Sequence, residues 1–220
     1  MSEDLSILSW NVRGLNDAAH RELVRETTVC ARPFSGVPSG NENQFHEPVN
    51  PSADTLGERM AGHCTLDANG TRGGILLAWN QDAVQLTDVV ANQLSVMARV
   101  RMLISDACFS LTTCYGPTDD RRKEEFLQEM ISSKPPAGTP WLIMGDFNLI
   151  YKASDKNNLN LNRRLMGKFR AALDDCELMA ICLQNRKFTW SNERENLLVP
   201  KSPARVSRPL TIVADHTHYG

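Results

Sequence analysis

The stretch Trp141–Asn148, WLIMGDFN, is a short apolar run that passes directly into two polar side chains, Asp146 and Asn148. A short apolar run bounded by a glycine is typical of a buried strand. The loops that follow such strands in layered α/β proteins are solvated but rigidly held, and ligand sites gather there. The stretch therefore predicts a strand that ends in a candidate site. Asp and Asn are also ordinary turn residues, so a purely structural Gly-Asp-x-Asn turn stays open as an alternative.

On both sides of this stretch, the chain alternates between strand and helix patterns. Apolar or alternating runs predict strands at 5–10, 73–79, 84–90, 94–104, 108–115 and 188–190. Helical spacing of apolar residues predicts helices at about 17–25, 119–132 and 163–178. Several strands follow one another without a helix between them. This order favours a layered α/β sandwich over a repeating βαβ barrel.

A length of 220 residues fits one domain, which we place at residues 1–220. Two segments in it carry no periodicity. One covers about 30–53 and is rich in Pro, Gly, Ser and Asn, and the other covers 197–220 and contains three prolines. Loops of this length are uncommon inside a compact domain, and we expect irregular structure in both segments.

The formal net charge of −2 argues against a broad basic surface that binds nucleic acid passively. It does not argue against a nuclease, because a bound divalent cation supplies positive charge at the scissile phosphate. No apolar run approaches the roughly 18 residues of a membrane span. The acidic start Met1–Asp4 is unlike a secretory signal. We therefore expect a nuclear or cytoplasmic protein that is neither secreted nor inserted in a membrane.

The chain has six cysteines and five histidines. No two cysteines form a Cys-x-x-Cys pair, and the histidines lack zinc-finger spacing, which argues against a zinc site. Cys108 lies in an apolar run, and Cys176 and Cys182 lie in a helical pattern. These positions predict buried thiols in a reducing compartment.

Other chemically capable side chains also follow predicted strands. Asn11 and Tyr115 each lie at the end of an apolar run. Asp215 and His216 place a carboxylate beside an imidazole, a pair able to orient or protonate a phosphate. Each has a plainer interpretation. Asn11 is also a common turn residue, Tyr115 with Gly116–Pro117 also terminates a strand, and the Asp215–His216 pair also fits an unstructured tail.

Five motifs occur in a fixed order along the chain: SWNVRGLN at Ser9–Asn16, RGGILLAW at Arg72–Trp79, YGP at Tyr115–Pro117, GDFN at Gly145–Asn148 and FTWSN at Phe188–Asn192. Together they resemble the endonuclease domain of plant LINE-type retrotransposons. That domain belongs to the endonuclease/exonuclease/phosphatase superfamily, with deoxyribonuclease I and the apurinic/apyrimidinic endonucleases. The resemblance covers residues 5 to about 196. It implies a deoxyribonuclease I-like fold, in which two mixed β-sheets form a sandwich flanked by helices.

The resemblance also implies roles for individual residues. Asn11 would belong to the metal and phosphate pocket, and Arg13 in the same motif would bind substrate. Tyr115 would contact the scissile phosphate. Asp146 would orient or deprotonate the attacking water, and Asn148 would hold the phosphate in its pentacovalent transition state. A Mg²⁺ or Mn²⁺ cofactor is implied with them.

The C-terminal part of the pattern adds further candidates. Thr189, Trp190 and Ser191 would face DNA, the implied substrate. Asp215 and His216 would match a Ser-Asp-His motif, with Ala214 where Ser is usual. There the His contacts phosphate, and the Asp polarises the His and joins Asn11 as a candidate metal ligand. A monomer that works with a downstream reverse transcriptase is implied as well.

The chain departs from the family pattern where the principal metal ligand is expected. The family has a Gln-Glu-Thr motif after its first helix, and its Glu binds the metal. Here the region Gly36–His46 reads GVPSGNENQFH. With permitted codon choices, a shift of one base lets the same DNA encode Ala-Cys-Leu-Gln-Glu-Thr-Lys-Ile-Asn-Phe-Met. We therefore hypothesise a local frameshift, with the family frame regained by about Asp54. Glu42 and Glu47 are the nearest carboxylates, but neither follows the strand that the family uses.

Two more features of the family are missing. Its Leu/Ile-Asp-Arg motif does not occur between Asn196 and Val213, and the chain stops at Gly220, before the usual final strand. We therefore expect a fold truncated at its C-terminus. Three hypotheses follow: an active endonuclease, a non-catalytic decayed or domesticated remnant, and a hydrolase of small phosphoesters. The missing motifs favour an impaired copy.

Overall fold

The computed structural model describes residues 7–11, 35–40, 62–66, 74–153, 161–180 and 210–214, and the side chains of 62–66, 74–153 and 161–179. The strands are β1 (Ile7–Asn11), β2 (Ser35–Gly40), β3 (Gly62–Leu66), β4 (Gly74–Trp79), β5 (Val84–Ala91), β6 (Ser95–Met102), β7 (Cys108–Tyr115), β8 (Trp141–Asp146), β9 (Met179–Ala180) and β10 (Leu210–Ala214). The helices are a 3-10 turn (Asp120–Arg122), α1 (Lys123–Ser132) and α2 (Arg163–Asp175). None of the helices in these ranges is long and apolar enough to cross a membrane.

The strands form two sheets, and each sheet is mixed. The first has the order β1-β2-β4-β3, with β1 and β2 parallel and the other neighbours antiparallel. The second has the order β5-β6-β7-β8-β10-β9, with β7 and β8 parallel and the other neighbours antiparallel. Strand β8 contacts β1 and β2, and β4 contacts β7, so the sheets face each other. This confirms the predicted sandwich of two mixed sheets.

Alternation along the strands of the second sheet builds two hydrophobic layers, because successive side chains point to opposite faces. The layer between the sheets contains Ile75, Leu77, Val96, Ala98, Val100, Leu111, Tyr115 and Met144. The other face is covered by α1 and α2, whose buried side chains pack on Cys114, Trp141 and Ile143. The indole Nε1 of Trp141 donates to Thr112 Oγ1 at 2.9 Å, which satisfies the polar atom of the largest buried side chain.

Most of the predicted elements that fall in the described ranges are confirmed, with ends that shift by a few residues. They are the strands at β1, β4, β5, β6, β7 and β8 and the helices at α1 and α2. Helix α2 begins where its sequence predicts, because the Asn162 side chain accepts the backbone N–H of Leu165 at 3.1 Å. The predicted helix at 17–25 and the strand at 188–190 lie outside the described residues.

The expectation of irregular structure at 30–53 and 197–220 is wrong in part, since β2 lies in the first segment and β10 in the second. Strand β2 is SGVPSG, which has poor strand propensity, but it pairs with β1 on one side and β4 on the other. The ladder to β4 passes over Val37 and Pro38, as expected for a proline that has no N–H to donate. Strand β2 is therefore specified by its neighbours, which local periodicity does not report. Strand β10, LTIVA, is a short apolar run of high strand propensity in a segment whose prolines favoured irregular structure.

The expected burial of cysteines is confirmed for Cys176 and wrong for Cys108, while Cys182 lies outside the described residues. Cys108 is exposed because it begins β7 at the tip of the β6–β7 hairpin, beyond the covered part of the sheet. Its apolar run is buried only from Leu111 onwards. Position along a strand therefore decided this burial, and the apolar character of the run did not.

Candidate functional site

The candidate site is built where the parallel strands β7 and β8 end together. The register pairs Tyr115 with Asp146, the last residues of the two strands. Tyr115 is buried, and Asp146 is half-buried. Parallel strands bring their carboxyl ends to one edge of a sheet, and ligand sites of open α/β sheets form at such edges. The structure thus brings together two of the side chains that the sequence nominated.

Beyond the strand ends, the loops after β7 and β8 stay linked by hydrogen bonds. The backbone N–H of Gly116 donates to Asp146 O at 2.6 Å. The side-chain amide of Asn148 donates through Nδ2 to Gly116 O at 2.7 Å. Asn148 is therefore the third nominated side chain at this edge, and its amide orientation is fixed by the loop after β7. A group held in this way is preorganised, which a catalytic constellation requires.

Two glycines allow β7, β8 and the loops after them to approach so closely. Gly145 has a φ of +138°, and a Cβ there would lie 1.9 Å from the carbonyl oxygen of Cys114. A Cβ on Gly116 would lie 2.2 Å from the carbonyl oxygen of Phe147. No real side chain tolerates such contacts with backbone. The glycines of the two motifs are therefore required by the close approach of β7, β8 and the loops that follow them at the site.

Asp146 also forms the local turn that the plainer interpretation predicted. Its Oδ1 accepts the backbone N–H of Asn148 at 3.1 Å, and Asn148 has a φ of +47°, in the left-handed region that Asn tolerates better than most residues. The turn and the site use the same residues. The hydrogen bond fixes the Asp146 carboxylate at the edge of the sheet, where it stays partly accessible to solvent.

The charge of Asp146 affects the pKa of Cys114 in the core beside it. Burial raises the pKa of the Cys114 thiol well above its ordinary value, and the negative charges of Asp146 and Glu129 raise it further. Cys114 is fully buried next to the strand end. Burial and these charges therefore favour the neutral thiol, which is not the nucleophilic form.

Glu129 of α1 supports the site from behind, and the sequence did not nominate it. Its Oε1 accepts the backbone N–H of Leu94 at 3.0 Å and the Ser95 hydroxyl at 2.6 Å. The carbonyl of Leu94 in turn accepts the backbone N–H of Tyr115 at 2.9 Å. The carboxylate therefore clamps the β5–β6 turn to α1 and, through Leu94, holds the end of β7. The only sequence signal is a charged residue between Phe126 and Met130, on the apolar side of a helix.

The first sheet presents a comparable pair of strand ends. Strands β1 and β2 are parallel, Asn11 pairs with Ser39, and Gly40 is the last residue of β2. In the shifted frame, position 40 is the one that would encode the family's metal-binding Glu. Glycine has no side chain to offer a cation. Among the side chains that the structure describes, no three His, Cys, Asp or Glu residues form a group able to hold a metal. The described residues therefore do not by themselves make a complete Mg²⁺ site.

The remaining candidates stay predictions, because they lie outside the residues with described side chains: Asn11, Arg13, Thr189, Trp190, Ser191, Asp215 and His216. The backbone of Asn11 is described as the end of β1. Strand β10, which precedes Asp215, runs antiparallel to β8 and pairs its last residue, Ala214, with Trp141. This strand therefore leaves the sheet at the start of β8, at the opposite edge from Asp146.

No family model and no curated protein sequence matches the chain. Solved structures do match its fold. The endonuclease domain of TRAS1, a telomere-specific non-LTR retrotransposon, has a TM-score of 0.60 at 12% identity, over 96% of this chain and 86% of that one. TDP2 of D. rerio, complexed with single-strand DNA product, has a TM-score of 0.58 at 14% identity, over 96% and 83%.

A third structure of the same fold acts on another class of substrate. The mannosyl-6-phosphatase Bt3783 of Bacteroides thetaiotaomicron has a TM-score of 0.58 at 10% identity, over 97% of this chain and 86% of that one. The predicted deoxyribonuclease I-like fold is therefore confirmed. At such low identities, likeness shows the fold alone, and the chemistry has to be argued from the site.

Proposed function

We propose that this chain is an endonuclease domain of the endonuclease/exonuclease/phosphatase superfamily, of the plant LINE-type retrotransposon kind, that nicks target DNA. One observation carries the proposal. Tyr115, Asp146 and Asn148, which the sequence nominated by their positions after predicted strands and by the family resemblance, meet at the end of the paired strands β7 and β8. A retrotransposon endonuclease is among the solved structures that share the fold, so the fold is compatible with this activity.

In the proposed reaction, water attacks the phosphorus of a DNA phosphodiester and the bond from phosphorus to the leaving oxygen breaks. The carboxylate of Asp146 orients this water and accepts its proton. The hydroxyl of Tyr115 and the amide of Asn148 contact the phosphate, whose negative charge grows as the water attacks. A divalent cation, Mg²⁺ or Mn²⁺, would neutralise part of that charge when bound.

We further propose that this copy is impaired, because Gly40 stands at the end of β2 where the shifted frame would supply the ligand Glu. Loss of a metal ligand weakens both the affinity for the cation and its placement. The alternative function follows from the same observation. If the remaining groups do not recruit a cation, the domain is a non-catalytic remnant of a retroelement, decayed or domesticated.

Plasmid nicking by the purified protein tests whether the chain is an active endonuclease. Supercoiled DNA is incubated with Mg²⁺, with Mn²⁺ and with EDTA, and Asp146→Ala is assayed beside the unmodified chain. Slow nicking that EDTA and Asp146→Ala both abolish supports the proposed endonuclease. Nicking that survives in Asp146→Ala comes from another protein and contradicts it. If a sample shown to be folded by circular dichroism does not nick at all, the endonuclease proposal is wrong and the alternative of a non-catalytic remnant is supported.

Substitution at position 40 tests the cause of the impairment. Gly40→Glu restores a carboxylate at the end of β2, and Gly40→Gln has almost the same size without the charge. We expect Gly40→Glu to nick at least about tenfold faster than the unmodified chain, the scale of a metal-site contact. Gly40→Gln should gain nothing. Equal rates in both variants would contradict the assignment of Gly40 to the metal position.

The other parts of the proposal follow from the resemblance. The domain would act as a monomer on DNA, in the nucleus or the cytoplasm, beside a reverse transcriptase encoded downstream. Sequencing the transcript through codons 30–54 tests the frameshift. A sequence in which no single-base shift restores Gln-Glu-Thr would remove the frameshift hypothesis.

A further inference from the structure

The segment after Asn148 carries an aromatic ring that the proposed reaction does not use. Tyr151 is 37% exposed, so part of its ring is open to a ligand. Tyr151 is the third residue after Asn148, so the backbone places it within about 10 Å of the candidate site. An exposed ring at this distance is within reach of the nucleotide next to a phosphate bound at the candidate site.

The ring and its backbone are held in place by α2. Arg170 Nε donates to the Tyr151 carbonyl oxygen at 2.6 Å, and its guanidinium carbon lies 5.4 Å from the ring centroid. Leu149, two residues earlier, packs against the core beneath the helices. The segment is therefore anchored on both sides of Ile150. A ring fixed in this way loses little conformational freedom on binding a ligand.

The positive charge of Arg170 is not compensated as its neighbours' charges are. On the same helix, Arg164 and Lys168 both pair with Glu124 of α1, at 3.0 and 2.5 Å. Arg170 forms no ion pair with any carboxylate in the described part of the chain, and its contacts there are the carbonyl and ring of Tyr151. A guanidinium next to an exposed ring offers two complementary contacts, one to a phosphate and one to a flat aromatic ligand.

We propose that Tyr151 and Arg170 form a stacking platform for one unpaired base of the DNA strand that flanks the scissile phosphate. The base stacks on the exposed Tyr151 ring, and the guanidinium of Arg170 contacts the adjoining phosphate. A base inside a duplex has no free face, so the platform prefers single-stranded or locally unpaired DNA. The inference deepens the proposed function and rests on it, because it takes a polynucleotide as the substrate.

Binding measured without catalysis tests the platform. Fluorescence anisotropy is recorded in EDTA with three labelled probes: a single strand, the matching duplex, and a strand of the same length made of abasic sites. We expect Tyr151→Ala to weaken binding of the normal single strand by about fivefold to a hundredfold, the range of base–aromatic stacking. It should leave the abasic strand unaffected. Tyr151→Phe keeps the ring and should bind as the unmodified chain does.

The arginine is tested with a matched control on the same helix. Arg170→Ala should weaken binding of the normal and the abasic strands alike, because the phosphate contact serves both. Arg164→Ala removes an exposed arginine that already pairs with Glu124, and it should change neither. Equal losses from Arg170→Ala and Arg164→Ala would show a general effect of charge and overturn the platform.

The outcomes separate this inference from the proposed function. If the unmodified chain binds single strands but Tyr151→Ala binds them equally well, the platform is wrong and the endonuclease proposal stands. The same holds if the chain nicks plasmid but does not prefer single strands over duplex. If the chain neither binds DNA nor nicks it, both proposals fail.

Discussion

At the scale of single residues, the site depends on backbone positions that only glycine can occupy. Gly145 combines a φ of +138° with a Cβ position 1.9 Å from the Cys114 carbonyl oxygen. Gly167 lies in the middle of α2 with open space around its Cβ position. The same substitution at the two positions should therefore have opposite effects, since one glycine is required by its surroundings and the other only weakens a helix.

We predict that Gly145→Ala lowers the free energy of unfolding by more than about 3 kcal/mol, because strain and backbone overlap add up at this position. Gly167→Ala should raise it by about 0.5–1 kcal/mol. Urea denaturation followed by circular dichroism measures both. A Gly145→Ala protein as stable as the unmodified chain would show that β8 does not approach the Cys114 carbonyl of β7 so closely.

The three nominated residues at the end of β7 and β8 could be predicted because glycine motifs and apolar runs mark a strand end locally. Glu129 could not. Its partners Leu94 and Ser95 lie 35 and 34 residues away in the sequence, and the contact exists only once α1 packs on the sheet. Local patterns report what a residue's neighbours in the sequence require, and long-range hydrogen bonds have no such pattern.

At the scale of elements, the Glu129 carboxylate joins α1 to the β5–β6 turn and so to the end of β7. We predict that Glu129→Ala lowers the free energy of unfolding by about 1–3 kcal/mol, because it leaves the N–H of Leu94 and the buried hydroxyl of Ser95 without an acceptor. Glu129→Gln keeps one acceptor oxygen and should lose less. Urea denaturation of the two variants measures the difference, and equal losses would contradict the clamp.

The 3-10 turn that leads into α1 carries a pH-dependent cap. Asp119 accepts the backbone N–H and the side chain of Arg121, and these hydrogen bonds lower the pKa of its carboxyl to about 2. A folded-state pKa below that of the unfolded chain means that the charged form stabilises the fold. The contribution is therefore complete above pH 4 and lost as the pH falls towards 2.

We predict that Asp119→Asn, which keeps an acceptor for the Arg121 N–H but not the charge, is less stable than the unmodified chain at pH 5. The difference should close between about pH 4 and pH 2, and high salt should reduce it because the pair is exposed. Urea midpoints at intervals of half a pH unit measure it. A difference that grows on acidification would contradict the assigned pKa.

Prediction of the elements succeeded where apolar residues form a run or recur with the period of a strand or helix. Strand β7 is buried on both faces from Leu111 onwards and is rich in apolar and β-branched residues, strand β6 shows alternation, and the helices show helical spacing. Strand β10, LTIVA, is also a short apolar run, but the prolines before it favoured an irregular segment. Strand β2 contains Gly36, Pro38 and Gly40, and its place between β1 and β4 is fixed by strands whose own sequences specify the sheet. The sandwich could thus be predicted from its well-patterned strands, and strand β2 could not.

At the scale of the whole molecule, the core layer under the helices shields two cysteine thiols from solvent. Cys114 is fully buried in the layer under the helices, and its pKa is raised well above the ordinary value. Cys176 lies in the same layer at the end of α2, and burial raises its pKa to about 11. Cys108 is exposed at the hairpin tip. Because the thiolate is the reactive form, burial and the raised pKa both slow the reaction of Cys114 and Cys176 with electrophiles.

We predict that a maleimide at pH 7.5 labels Cys108 rapidly in the folded protein, while Cys114 and Cys176 react only as fast as the core opens. In guanidinium chloride, all three should react at similar rates, which provides the control. Labelling is followed by peptide mapping with mass spectrometry, so that each thiol is read separately. Native-state labelling of Cys114 as fast as that of Cys108 would mean that α1 and α2 do not cover the sheet. In that case Glu129 would not hold the end of β7, and the site at Asp146 would lose the support on which its geometry depends.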